Sequence, residues 1–270
     1  MTDMTTLPAS LRVVRLPDGH TVPYVEQGRR DGIPLILLHG LTDSLRSYEP
    51  VLAHLPDSIR AFAITQRGHG DAGKPAAGYS AADFAGDVVA FMDAVGVERA
   101  IIAGHSLGGW VARRVAAEHP ERTAALVLAG CFAAFSDRPD MAGLLEEFRE
   151  LSDPVDPAYA RAWQESTLAR PVPESFLETI VEETVKTPAR VWTAVVENVL
   201  ASTPEPPGTI TAPTLIVWGD RDDYVPRSDQ DALLAAISGA RLAVYAGGGH
   251  AIHWEEPERY AADLVEFATR

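Results

Sequence analysis

The feature that most constrains this chain is a series of short, unbroken apolar runs separated by amphipathic segments. The runs are Pro34–Leu38, Ala61–Ile64, Ala100–Gly104, Ala124–Ala129, Thr214–Trp218 and Leu242–Tyr245. Runs without polar alternation suit strands that are covered on both faces. Between them lie segments of helical periodicity. Ala81–Val95 places Phe84, Val88, Phe91, Met92 and Val95 on one face. Trp110, Val111, Val115 and Ala116 share a face after Gly109, and Tyr260, Leu264, Val265 and Phe267 do so within 258–269. Ahead of these, 11–16 and 21–27 read as two strands joined by the turn Pro17-Asp18-Gly19-His20. The expected fold class is α/β: a mostly parallel eight-stranded sheet with helices on both faces.

The alternation breaks once. Between about 134 and 207 no strand is legible. Helical patterns occur around 141–151, 159–168, 174–185 and 190–200, parted by Pro154, Pro157, Pro171, Pro173 and Pro188. Pro204-Glu205-Pro206-Pro207-Gly208 closes the segment like a linker. The expected organisation is a core domain of 1–133 and 208–270, with a helical lid of 134–207 above one sheet edge.

The formal charge of −15 disfavours nucleic acid and anionic membranes as partners. The single cysteine, Cys131, cannot form an internal disulfide and reads as a small buried hydrophobe. The first ten residues lack a signal-peptide pattern, and no apolar stretch is long enough to span a bilayer. A cytoplasmic protein acting on a small molecule is the expectation, with homo-oligomerisation left open.

Gly104-His105-Ser106-Leu107-Gly108 fits G-x-S-x-G. The pentapeptide alone is a weak signal. Here it follows an apolar strand and precedes an amphipathic helix, the setting of a sharp strand-to-helix turn. Such a turn strains the serine backbone and leaves no room for side chains at 104 and 108. It also sets the Ser106 hydroxyl at a helix N-terminus. The glycines lack both G-x-G-x-x-G spacing and a G-K-[ST] ending, so phosphate binding is discounted.

A serine hydroxyl needs a base, and the base needs an orienting acid. Three acids compete after the strand 214–218: Asp220, Asp222 and Asp223. Two histidines compete after the strand 242–245: His250, behind Gly247-Gly248-Gly249, and His253. The pair also forms H-x-x-H, but no third metal ligand is evident.

On these motifs the chain resembles the α/β-hydrolase superfamily over nearly its whole length. The family's G-x-x-D before Val-Pro falls on Asp222, and its G-H-x-x-x-x-E-x-P falls on His250, Glu255 and Pro257. The resemblance thus implies a catalytic set of Ser106, His250 and Asp222. His39-Gly40-Leu41 resembles the family's H-G-x and implies an oxyanion hole from the backbone N–H groups of Leu41 and Leu107. Gln66-Arg67-Gly68-His69-Gly70 resembles D-x-R-G-x-G, departing from it at Thr65 and Ala72. Trp110, His253 and Trp163 are the expected substrate-binding residues. No cofactor and no metal are expected.

The implied chemistry is hydrolysis of an ester or lactone of a small, largely apolar substrate through an acyl-enzyme. Ser106 argues against the dehalogenases and epoxide hydrolases of this fold, which use an aspartate nucleophile. Carbon–carbon hydrolysis of the meta-cleavage type, cofactor-free perhydrolysis (haloperoxidase chemistry) and non-catalytic reception of a small molecule stay open. Fold alone does not choose among them.

Overall fold

The computed structural model describes residues 11–134 and 138–269. Eight strands form one sheet: β1 (Arg12–Arg15), β2 (Thr21–Gln27), β3 (Ile33–Leu38), β4 (Ile59–Ile64), β5 (Ala100–His105), β6 (Thr123–Ala129), β7 (Thr214–Gly219) and β8 (Arg241–Tyr245). Their spatial order is β1-β2-β4-β3-β5-β6-β7-β8. β1 pairs antiparallel with β2, and β2 with β4; β4, β3, β5, β6, β7 and β8 run parallel.

The unbroken apolar runs split by alternation into two core layers. Ile36, Leu38, Phe62, Ile64, Ile102, Leu126, Leu128 and Ile216 face one side of the sheet. Leu35, Leu37, Ala61, Ala63, Ile101, Ala103, Val127 and Val217 face the other. Helices α2 (Ala81–Val95), α3 (Leu107–Glu118) and α8 (Arg227–Ala236) cover the first layer. The short α1 (Glu49–Leu52) and α9 (Ile252–Glu255) and the longer α10 (Pro257–Ala268) cover the second. Helix α2 begins on a capping box of Ser80 and Asp83 and ends at Gly96 in the left-handed conformation.

Helix α8 is absent from the sequence expectation. It carries little apolar periodicity, because Asp229 and Gln230 are buried on it beside Leu233. Those polar groups are satisfied by the chain leaving β6: Asp229 Oδ1 accepts from Ala133 N at 2.9 Å and Gln230 Nε2 donates to Cys131 O at 3.2 Å. Burial of Cys131 pushes its thiol up to about 12, consistent with packing rather than reactivity.

Helices α4 (Pro139–Arg149), α5 (Pro157–Glu165), α6 (Glu174–Val185) and α7 (Ala189–Ala201) stand between β6 and β7. Phe148 and Trp192 form their centre, edge to face at 5.0 Å. Arg113 on α3 holds the chain at both ends of this segment, donating to Phe132 O and Ala133 O and pairing with Glu205.

The chain turns from β3 toward β4 on one side, whereas β5 lies on the other side of β3. This reversal of strand order opens a crevice at the carboxyl ends of β3 and β5, where doubly wound sheets bind ligands. Gly40–Asp43 and His105–Ser106 occupy those ends.

Candidate active site

Ser106 leaves β5 with φ 50° and ψ −114°, a conformation that side-chain-bearing residues rarely adopt. The backbone fixes it there. Ser106 N donates to Ala129 O at 2.9 Å, and the N–H groups of Gly109 and Trp110 donate to Ser106 O. A Cβ on Gly104 would lie 2.1 Å from Gly108 O, and one on Gly108 would lie 2.1 Å from Leu38 O. Both glycines are therefore forced by the close approach of strand and helix. The Ser106 side chain caps no helical N–H, which leaves its hydroxyl available to the crevice.

His250 follows the glycine run after β8. Its Nδ1 lies 2.8 Å from Asp222 Oδ2, and both side chains are buried. Asp222 Oδ1 accepts from Tyr224 N and Val225 N, each at 2.9 Å. With the carboxylate on Nδ1, neutral His250 carries its proton there and leaves Nε2 as the acceptor. The competing acids point elsewhere. Asp220 accepts from Gly247 N at 2.5 Å, pinning the glycine loop, and Asp223 is exposed.

Ser106, His250, Leu41, Leu107 and Trp163 line one cavity, whose remaining wall is mostly apolar, including Phe132, Met141, Leu144, Val195, Val196 and Val199. Among the described residues, no group accepts from the N–H of Leu41 or Leu107. Leu107 N belongs to the first turn of α3, where helical N–H groups are unpaired by construction. Trp163 reaches in from α5 and donates to Thr42 Oγ1 at 3.0 Å.

Two expected pocket residues stand outside the cavity lining. Trp110 is buried in the first core layer and its indole donates to Ser202 Oγ at 3.3 Å. His253 sits on α9 with its ring turned into the protein. Its Nε2 is 2.9 Å from Ser47 Oγ, and its ring stacks 4.4 Å from that of His105. Burial drops its pKa to about 3. The H-x-x-H pair is thus divided between two partners, Asp222 and Ser47.

His39 accepts Gln66 N–H on Nε2 at 3.0 Å, so its Nδ1 donates to Gly40 O at 2.8 Å. It braces the Gly40 loop. Thr65, where the family often carries aspartate, accepts from Leu45 N at 3.2 Å and is buried. Arg67 pairs with Asp87 on α2 through two hydrogen bonds of 2.5 Å, which anchors that loop.

A model of the alpha/beta hydrolase fold matches residues 33–257. The chain belongs to the α/β-hydrolase family. A Variovorax paradoxus protein, RutD, whose name is that of a carbamate hydrolase, is 30% identical over 92% of this chain and 96% of its own length. A Mycobacterium phage D29 protein named as a non-heme haloperoxidase is 38% identical over a shorter stretch, 42% of this chain. This chain spans 40% of that phage protein's length. An esterase from Exiguobacterium antarcticum superposes on this α/β hydrolase with a TM-score of 0.85 and 22% identity, covering 96% of this chain and 99% of its own. At that identity the likeness speaks for the fold.

Sequence reasoning passed over three residues of this site: Thr42, Asp43 and Gln164. Asp43 lines the cavity, 2% exposed. Gln164 on α5 donates to Thr42 Oγ1 and Asp43 Oδ1, each at 3.1 Å, and to Thr184 Oγ1 at 2.7 Å. Thr42 has φ 69°. No periodicity or motif marks them; only the packing of α5 against the loop after β3 does.

Proposed function

We propose that this α/β hydrolase is a serine hydrolase that cleaves an ester or lactone of a small, largely apolar substrate. One observation carries the reading: Ser106, Leu41, Leu107 and His250, the last paired with Asp222, all border one apolar-walled cavity.

In this mechanism His250 Nε2 takes the Ser106 proton as Oγ attacks the substrate carbonyl. The tetrahedral oxyanion is stabilised by Leu41 N–H and Leu107 N–H, the latter at the positive end of α3. His250 returns the proton to the leaving oxygen, giving the acyl-enzyme. Water then enters, loses its proton to Nε2, and releases the acid and free Ser106. Asp222 keeps the proton on Nδ1 and stabilises the imidazolium between steps. Helices α4–α7 act as the lid, and Trp163 forms part of the substrate wall.

The phage relative's name favours a second reading on the same residues, in which peroxide replaces water in the deacylation step. A carbamate, suggested by the RutD name, would be attacked in the same way. No helix among the described residues is long and apolar enough to cross a membrane.

The test is turnover of a p-nitrophenyl ester panel by wild type and Ser106→Ala, with an organophosphonate label located by mass. Label on Ser106 and turnover lost in the variant support the reading. Undiminished turnover in Ser106→Ala would overturn it.

A further inference from the structure

Asp43 is the acid that the proposed mechanism leaves unused, and the only one among the described residues lining the cavity. Its oxygens are held from behind. Oδ1 accepts from Gln164 Nε2 at 3.1 Å, and Oδ2 accepts from Ser47 Oγ at 3.3 Å. The Gln164 amide is oriented by Thr184, whose own hydroxyl proton goes to Ile180 O. Ser47 is held in turn by Trp254 Nε1 at 2.9 Å. No Lys or Arg among the described residues pairs with Asp43.

Burial without a cation disfavours the carboxylate, because the charge is poorly solvated, while the donors from Gln164 and Ser47 favour it. Burial accordingly pushes Asp43 up to about 7. Both oxygens accept from the wall while Asp43 itself lines the cavity, so a proton on the carboxyl is within reach of a ligand there.

We propose that Asp43 is a substrate-binding residue: its protonated carboxyl donates a hydrogen bond to a second oxygen in the acyl part of the substrate. This rests on the hydrolase reading above. The substrate class it selects is an apolar acyl group interrupted by an ether, keto or second carbonyl oxygen. An all-carbon acyl chain leaves the O–H unsatisfied.

The titratable groups facing Asp43 are His105 at the end of β5, Tyr48 after the loop, His253 on α9 and His250. Burial keeps His105 and His253 neutral and holds the Tyr48 hydroxyl protonated. His250 serves any ester equally, so its contribution cancels in a ratio of two substrates.

The experiment compares kcat/KM for p-nitrophenyl methoxyacetate and p-nitrophenyl butyrate, equal in chain length and differing by one ether oxygen. Wild type, Asp43→Asn and Asp43→Leu are measured between about pH 5.5 and 8.5, spanning the pH range in which His and a raised carboxyl titrate. In wild type the methoxyacetate preference should fall as pH rises through 7. Asp43→Asn, which keeps a donor without a titration, should hold the preference level. Asp43→Leu should lower it about tenfold, the worth of one hydrogen bond. A wild-type ratio that stays level through pH 7 overturns the proposal, and that arm needs no variant to fold. So does an unchanged ratio in Asp43→Leu. Absence of Ser106-dependent turnover of either ester in wild type overturns the hydrolase reading itself, and this inference with it.

Discussion

Two non-glycine residues with positive φ stand among the described residues, and both flank the cavity: Ser106 at 50° and Thr42 at 69°. They are held in different ways. Ser106 is fixed by backbone hydrogen bonds within the sheet and by two glycines that admit no side chain. Thr42, a β-branched residue for which this conformation is especially costly, is held by side chains. Trp163 and Gln164 on α5 both donate to its hydroxyl, which itself donates to Leu41 O at 2.6 Å. Strain persists only where surrounding contacts over-determine it. The Ser106 conformation therefore belongs to the core, while that of the Leu41–Asp43 loop depends on the inserted helices.

The comparison can be broken most severely at the serine. On the proposed mechanism, Ser106→Ala should cut kcat by at least about three orders of magnitude with an unchanged melting temperature, the effect of removing a nucleophilic serine. Thermal melts and ester kinetics on the same preparation check both halves.

Gly108→Ala tests the backbone side. Its Cβ would meet Leu38 O at 2.1 Å, and backbone cannot yield as a flexible side chain does. The expected loss is about 2–4 kcal/mol of stability, read by denaturant unfolding. A variant as stable as wild type would contradict the close approach of strand and helix.

Trp163→Phe combined with Gln164→Leu tests the side-chain side. It removes both donors to Thr42 and keeps most of the apolar bulk. The expected result is a roughly tenfold fall in kcat with a much smaller change in stability. If kcat holds and only KM changes, α5 contributes binding surface and does not position the Leu41 loop.

The smallest effect is the pH dependence of stability. Asp43 has a folded pKa raised to about 7 from 3.8. Its contribution is present in full below the unfolded value and is lost as pH rises through 7. His253, lowered from 6.5 to about 3, and His69, lowered to about 4, have the opposite sign. Their contributions are full above 6.5 and lost as pH falls through 4 and 3. Asp43→Asn should therefore gain stability relative to wild type between pH 4 and 7, while acid unfolding, set by the histidines, persists. A stability difference that does not change over that range would sink this account.

Much of the fold was legible because burial on both faces of a parallel strand writes a continuous apolar run, and helix α2 matched its expected bounds of 81–95. Helix α8 was illegible because it buries Asp229 and Gln230 against carbonyl and amide groups rather than apolar residues against the sheet. The same limit applied to individual side chains. Trp110 and His253 carry suitable chemistry at suitable positions, but their directions depend on what Ser202 and Ser47 offer from distant segments.

The strand-to-helix turn at Ser106 is written in the local sequence: a Cβ on Gly104 would meet Gly108 O within the same turn, whereas Gly108 answers to Leu38 O on the neighbouring strand β3. The sequence by itself also determined the alternating elements that bring β3 and β5 side by side. Among three neighbouring acids the family motif singled out Asp222, and tertiary structure shows the physical reason: it receives two backbone N–H groups on one oxygen and the imidazole on the other. Tertiary structure alone placed Asp43 in the cavity wall, where burial raises its pKa to about 7. A carboxyl's charge depends on the burial and donors around it: packing of the loop after β3 raises the Asp43 pKa, and Gln164, more than a hundred residues further along the chain, supplies a donor that opposes the rise.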